Sequence, residues 1–325
     1  MPDRAALDLI DAHHHIWAPD SDPGGVGWVW LRQAGPKPFG DPGPIRRDYL
    51  LPEFRAEPAP HRLLASVHVQ SDNALPDPVA ETRFVQAAAE AAGLPVAIVG
   101  LVDLSRPDAR AVLDGHRASP GFRGVRQILS RDDAEPSRSY APAHHLRDPL
   151  WRAQFALLAE MDLSFDLQLL PAQMPEAARF LERHPDVPVV VDHMGSPRPG
   201  VEDDLWREGM AALARLPNVH VKLSGFGMAF GRDLDARATR MARELLDLFG
   251  AGRTMFGSNF PVDKLWLRYA DILLVVLDAC ADERARDAVL RSNASAFYRL
   301  DVPASSAPAV SNGGPSTSRT ETPGG

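Results

Sequence analysis

The sequence predicts a (β/α)8 barrel, an α/β fold of the distorted TIM-barrel type, and three observations carry that prediction. Short apolar, β-branched runs alternate with Ala/Leu/Glu/Arg stretches of helical periodicity along most of the 325 residues. Several runs, among them Val187-Pro188-Val189-Val190-Val191 and Val96-Ala97-Ile98-Val99, are apolar on consecutive residues, as strands buried on both faces of a parallel sheet must be. Eight such runs recur at a period of roughly thirty residues, which suits a closed barrel better than an open doubly wound sheet.

The strands are expected over 7–17, 63–71, 96–104, 122–129, 163–170, 187–195, 219–226 and 253–260. Helices are expected between them over 78–92, 148–161, 171–184, 202–216 and 236–249. No Gly-x-Gly-x-x-Gly follows the first strand, which removes the usual dinucleotide-binding reading. The loop over 18–62 is long and rich in Pro, Gly and Trp. At the C-terminal end of a barrel strand such a loop belongs to an active-site cover. Trp28, Trp30 and Phe39 within it suit an apolar or sugar-stacking wall, and surface or hinge packing explains them nearly as well. Residues 303–325 are almost all Pro, Ser, Gly, Thr and Ala, too little apolar surface to offset ordering entropy, so a disordered tail is expected after a barrel domain over 1–302.

Bulk composition narrows the function. Hydrophobic residues make up 45% and charged residues 24%, with a net charge of −8. That balance speaks against nucleic-acid and membrane-surface roles, which need basic patches. Cys280 is the sole cysteine, so no intramolecular disulfide and no thiolate metal cluster can form. The first residues lack the apolar core of a signal peptide, and the aliphatic run over 272–277 is too short to span a bilayer. A cytoplasmic protein acting on a small molecule is expected, and a homo-oligomer is compatible with all of this.

Chemistry is expected where polar residues end strands, since a parallel barrel points catalytic groups inward from the C-terminal strand ends. Strand alternation places Asp11, His13 and His15 on one face and His14 on the other. Two imidazoles at i and i+2 can reach one ion, although a hydrogen-bonded polar patch is the plainer reading of a bare histidine cluster. His193 leaves the valines of the sixth strand and so belongs at the mouth. Arg126 ends the fourth strand, where a guanidinium can fork onto a carboxylate or a polarised carbonyl, or make a surface ion pair. Gln70, Gln168 and Lys222 end the second, fifth and seventh strands as candidate substrate contacts. Gly257-Ser258-Asn259 ends the eighth, and its composition also suits a plain turn.

Taken together, these motifs resemble the amidohydrolase-related (amidohydrolase 2) group of the amidohydrolase superfamily, which includes sugar lactonases and 2-pyrone-4,6-dicarboxylate lactonase. The resemblance rests on Ile10-Asp11-Ala12-His13-His14-His15-Ile16-Trp17, Arg47-Asp48-Tyr49-Leu50-Leu51-Pro52-Glu53, Gly121-Phe122-Arg123-Gly124-Val125-Arg126, Val191-Asp192-His193-Met194-Gly195-Ser196-Pro197, Lys222-Leu223-Ser224-Gly225, Gly257-Ser258-Asn259-Phe260-Pro261 and Ser292-Asn293-Ala294-Ser295-Ala296-Phe297-Tyr298. It runs in order over roughly residues 7 to 300. What it implies is hydrolysis of a C–O bond in a small lactone, with His13, His15 and His193 acting either directly or as ligands of one divalent ion, Zn2+ first among candidates.

The sequence departs from the group at Asn259, where most relatives carry Asp, and at the fifth strand, where Asp166 and Gln168 replace a histidine. A carboxamide cannot take a proton at neutral pH, so His193 or Asp263 is expected as the base, with Arg126 polarising the carbonyl. The same departures speak against a binuclear centre. Two other readings accompany the lactonase: a carboxy-lyase of the same fold, and a degenerate barrel that binds without turnover.

Overall fold

The computed structural model describes residues 6–33, 35, 37–71 and 75–302; the tail expected from residue 303 onward lies outside them. The eight expected strands all form: β1 Asp8–His14, β2 Arg62–Val69, β3 Val96–Leu101, β4 Phe122–Arg126, β5 Ser164–Leu167, β6 Val189–Val191, β7 Val219–Leu223 and β8 Thr254–Phe256. All neighbours are parallel, and the hydrogen-bonded order is the chain order. The ring nearly closes where His14 bridges Phe260, with His15 N–H donating to Phe260 C=O and Asn259 N–H donating to His13 C=O, both at 2.7 Å. This seam sets the ends of the first and eighth strands side by side.

Among the described residues the helices over the barrel include α1 Leu51–Ala56, α2 Ala80–Ala92, α3 Ala109–His116, α4 Pro149–Gln154, α5 Leu157–Glu160, α6 Met174–Leu181, α7 Asp203–Ala214, α8 Phe226–Phe230, α9 Ala236–Phe249 and α10 Tyr269–Ala279. The helix expected over 148–161 is two pieces. Asp148 caps the first by accepting from Trp151 N–H at 2.9 Å, and the chain then tightens to an i→i+3 bond, Leu158 N–H to Phe155 C=O at 3.2 Å. The helix expected over 171–184 opens as a 3-10 turn, Pro171–Gln173, before α6 begins.

Two apolar layers hold the barrel. Its interior is filled by Ile10, Ala12, Val67, Val99, Val190 and Met255, all buried. A larger layer, including Leu9, Val125, Phe165, Val191, Val221 and Phe256, packs between sheet and helices. Each fully buried Val, Leu or Phe contributes ~1.5–3 kcal/mol, so the scaffold is rigid where it carries the strand ends.

One expectation about β1 is corrected. Simple alternation would put Asp11 beside His13 and His15, but the pairing shifts between Asp11↔Ser66 and His14↔His68, three steps on β1 against two on β2. This bulge adds an extra residue and re-aims the side chains that follow. Ile10 and Ala12 face the interior, and Asp11 turns outward, accepting from Tyr269 Oη and Ser258 N–H, both at 3.0 Å. Beyond the bulge His13 and His15 face the barrel mouth, while His14 points out, stacked on Phe54 at 3.8 Å with Nε2 2.9 Å from Ser66 Oγ.

Candidate active site

The C-terminal strand ends converge on a cavity of about 340 Å3, whose lining includes His15, Arg126, Gln168, His193 and Asn259 on its polar side. Trp17, Trp30, Phe39 and Val262 form its apolar side. Trp30 meets Trp17 edge-on at 5.4 Å and Phe39 at 6.0 Å, so the cover loop does furnish an aromatic wall. Trp28 does not belong to that wall. It is fully buried against Phe84, 5.2 Å away edge-on.

Asp192 organises the floor. Its Oδ1 lies 3.2 Å from His13 Nδ1 and 3.1 Å from Lys222 Nζ, and its Oδ2 lies 3.5 Å from Arg126 Nη1. A carboxylate at Nδ1 draws the proton to that nitrogen and leaves the Nε2 lone pair outward. His13 Nε2 is buried and finds no hydrogen-bond partner among the described residues. One donor atom from each of His13, Asp192 and His193 lies within 4.8 Å of the others. A buried lone pair without a donor, beside a carboxylate oxygen that accepts no hydrogen bond, is the chemistry of a divalent-cation site, and these three residues fit one. Asp192 rather than His15 completes the cluster.

Asp192 was within the motif read from the sequence but not singled out. Strict alternation from Val190 and Val191 admits one inward residue after the strand, whereas His193 has φ +52° and Met194 φ +54°. That left-handed turn lets adjacent residues both reach the site. Gly225, at φ +76°, makes room for it, since a Cβ there would stand 2.7 Å from His193 Cβ. Ser224 Oγ accepts from the His193 N–H at 3.2 Å and sits 3.1 Å from Nδ1, fixing the ring.

His15 is held differently. Its Nδ1 lies 2.7 Å from Val69 C=O, so the proton sits on Nδ1 and Nε2 is an acceptor. That nitrogen faces Asn259 Oδ1 at 3.3 Å. The amide orientation follows from Asp263, which accepts from Asn259 Nδ2 at 2.9 Å and from Gly227 N–H at 2.8 Å. Two acceptors thus face each other across the mouth, an arrangement completed by a molecule carrying two protons, such as water. Asp263 itself is fully buried behind Asn259 and does not line the cavity. Burial pushes its carboxyl up to about 7.

The remaining predicted residues divide. Arg126 Nη1 donates to Gln168 Oε1 at 3.0 Å, Nη2 donates to the Gln70 carbonyl, and Nε is without a partner. Gln168 lines the cavity. Gln70 does not; its main chain braces Arg126. Lys222 is fully buried beneath His13, bonded to Asp166, which in turn accepts from Tyr298 Oη at 2.9 Å. A substrate in the cavity cannot reach Lys222. It compensates charge under the site, and Asp166 on the fifth strand is its partner.

Burial sets the protonation states. It holds His13 and His15 well below the usual histidine range and brings His193 down to about 3. Burial works to raise Asp192, but Lys222, His13 and His193 together hold it well below the usual carboxylate range. At pH 7 the floor is therefore neutral imidazoles around one carboxylate.

A stability prediction follows. Between the depressed folded values and 6.5, His13, His14, His15 and His193 bind protons only when unfolded, so stability falls as pH falls below 6.5. Asp11 and Asp166, each raised to about 6, and Asp263, raised to about 7, work oppositely, losing stability as pH rises. His220, brought down to about 4 by burial, joins the four histidines, so five groups outweigh three, and at ~1.4 kcal/mol per group per pH unit the net slope near pH 5 is about 3 kcal/mol per unit. Denaturant melts at pH 5 and 6 should show it; equal stability at both would contradict the buried-neutral assignment.

Known proteins share this sequence pattern and fold. Residues 10–300 match the model of the amidohydrolase family. The chain is 32% identical over 302 residues to L-fucono-1,5-lactonase of Burkholderia ambifaria, covering 90% of this chain and 96% of that protein. The crystal structure of an amidohydrolase from Burkholderia multivorans with bound zinc superposes with a TM-score of 0.72 at 28% identity, covering 91% of this chain and all of that one. A putative 2-pyrone-4,6-dicarboxylic acid hydrolase from Pseudomonas putida shares the fold, with a TM-score of 0.67 at 20% identity over 90% of this chain and 98% of its own. With barrel, mouth and histidine cluster all in place, the chain belongs to the amidohydrolase family and is a hydrolase.

Proposed function

We propose that the protein opens a small lactone by attack of water on the ring carbonyl. The observation that carries the reading is one cavity wall holding the Arg126 guanidinium, His193 and the facing acceptors His15 Nε2 and Asn259 Oδ1, with His13 and Asp192 fully buried beside His193. Similarity to L-fucono-1,5-lactonases supports it. We assign Zn2+ to His13, Asp192 and His193; bound there, it supplies Lewis-acid polarisation and lowers the pKa of water.

The protein's own groups do the rest. Arg126, with its remaining N–H groups, polarises the carbonyl and stabilises the oxyanion, an effect of roughly 3–4 kcal/mol per donor in comparable sites. Asn259 Oδ1 and His15 Nε2 each accept one proton of the attacking water and aim its lone pair at the carbonyl carbon. His15 Nε2 takes the proton as the C–O bond forms, and Val69 C=O supports the charge at Nδ1–H. When the ring C–O bond breaks, the leaving alkoxide takes that proton, giving a hydroxy acid. Asp263 acts on the reaction only by holding the amide of Asn259.

A panel of sugar and aromatic 1,4- and 1,5-lactones tests the reading by acid release above the spontaneous rate. Acid without CO2 supports it; CO2 points to a carboxy-lyase, and no turnover points to a binding protein. Within an active enzyme, Asn259→Leu should lower kcat about 10²-fold with little change in KM, because the water loses one of its two acceptors. An unchanged kcat removes Asn259 from the mechanism.

A further inference from the structure

The cavity has a second lobe. Beyond His193, Gln168, Tyr140, Phe39 and Met228, which line both spaces, it opens into a further cavity of about 320 Å3. The two lobes differ in chemistry. The first is walled by aromatic side chains. The second is walled by Ser130, Glu135, Arg138, Ser196 and Arg198.

Its charges are already spent. Arg138 pairs with Glu202 at 2.8 Å and Asp132 at 3.2 Å, and Arg198 with Glu135 at 2.9 Å and Glu202 at 3.2 Å. Two guanidiniums face three carboxylates, so the lobe has no surplus cation for an anionic group. It does have hydroxyl chemistry. Ser130 is 1% exposed and its Oγ has no partner among the described residues. The Gln168 amide and the Tyr140 ring stand at the junction. A buried hydroxyl left without a partner costs ~1–3 kcal/mol unless a ligand or water supplies one.

We infer that the second lobe is a subsite for a neutral, hydroxyl-bearing arm on the lactone, so that the substrate class is a two-unit sugar lactone such as an aldobionic acid 1,5-lactone. The inference rests on the lactonase reading and extends it. The reacting ring occupies the aromatic lobe with its carbonyl at Arg126. The second sugar unit passes His193 and meets Ser130.

The test compares glucono-1,5-lactone with cellobiono-1,5-lactone by acid release, and gluconate with cellobionate by calorimetric binding. The expected result is a kcat/KM at least about 10-fold higher for the two-unit lactone, and tighter binding of its open acid. Ala229→Trp, which fills the lobe from α8, should bring that ratio to about one. Ser130→Ala, which leaves the space open, should lower it several-fold and keeps the test alive if the Trp variant does not fold. Equal kcat/KM for the two lactones, or a ratio untouched by both variants, overturns the subsite while leaving lactone hydrolysis intact. If neither lactone is hydrolysed, the wider lactone panel decides the lactonase reading, and the binding comparison still decides the lobe: cellobionate tighter than gluconate supports it, and equal affinity overturns it.

Discussion

Replacing Asp192 with Asn should lower kcat/KM about 10³-fold and bring bound divalent metal to background, in a protein that still folds. The carboxylate does three things that an amide of the same shape does not. It fixes the His13 proton on Nδ1 at 3.2 Å, offers an anionic oxygen to a cation, and balances Lys222 at 3.1 Å and Arg126 at 3.5 Å. Without its charge the His13 tautomer is free to reverse, which takes away the Nε2 lone pair that faces the site. Each factor of ten is ~1.4 kcal/mol of transition-state stabilisation. Lys222 keeps its bond to Asp166, so the fold should survive. Metal analysis and steady-state kinetics on tag-free protein measure both effects, because a histidine tag would itself bind metal. Full metal content with normal kcat/KM would show that Asp192 is only a structural carboxylate.

The second large effect concerns stability. Lys222→Met removes the one ammonium between Asp166 and Asp192, all three being completely buried. A buried ion network broken by deleting one partner costs ~3–5 kcal/mol, because the remaining charges cannot be solvated. In a chain of this size that is a fall in Tm of about 10 °C. The sign of its pH dependence is also fixed. Without Lys222 the two carboxyls sit at raised pKa, their protonated forms become the stable ones, and stability is recovered as pH falls through those values. The deficit relative to the parent should therefore be smaller at pH 5 than at pH 8. Thermal melts at the two pH values check this; a deficit that is absent, or that grows toward pH 5, contradicts the assignment of Lys222 as the compensating charge.

The barrel itself was legible because periodicity and consecutive apolar residues report burial on both strand faces, and burial is what a parallel sheet requires. The β1 histidines and His193 were legible for the same reason: imidazoles that leave an aliphatic run have a mouth to go to. What the residues alone concealed was any feature that breaks a period. The bulge after Asp11 turned that residue outward and let His13 face inward. The left-handed turn at His193 and Met194 brought His193 into the site beside Asp192, which alternation from the inward Val190 already places there. Long-range pairing was hidden as well. Lys222 and Asp166 stand 56 residues apart, and nothing local says that one neutralises the other rather than meeting a substrate. Asn259 was recognised as a departure, but its orientation depends on Asp263 lying one helical turn further on.

The account stands most directly on where the water goes. A single-turnover hydrolysis of a 1,5-lactone in H218O, with the product acid analysed by mass spectrometry, places the new oxygen. The site described here predicts one 18O atom per product, carried in the carboxylate, with no CO2 released. Label in the liberated hydroxyl would mean that the ring carbon, not the carbonyl held by Arg126, is attacked, and would contradict the mechanism at its centre.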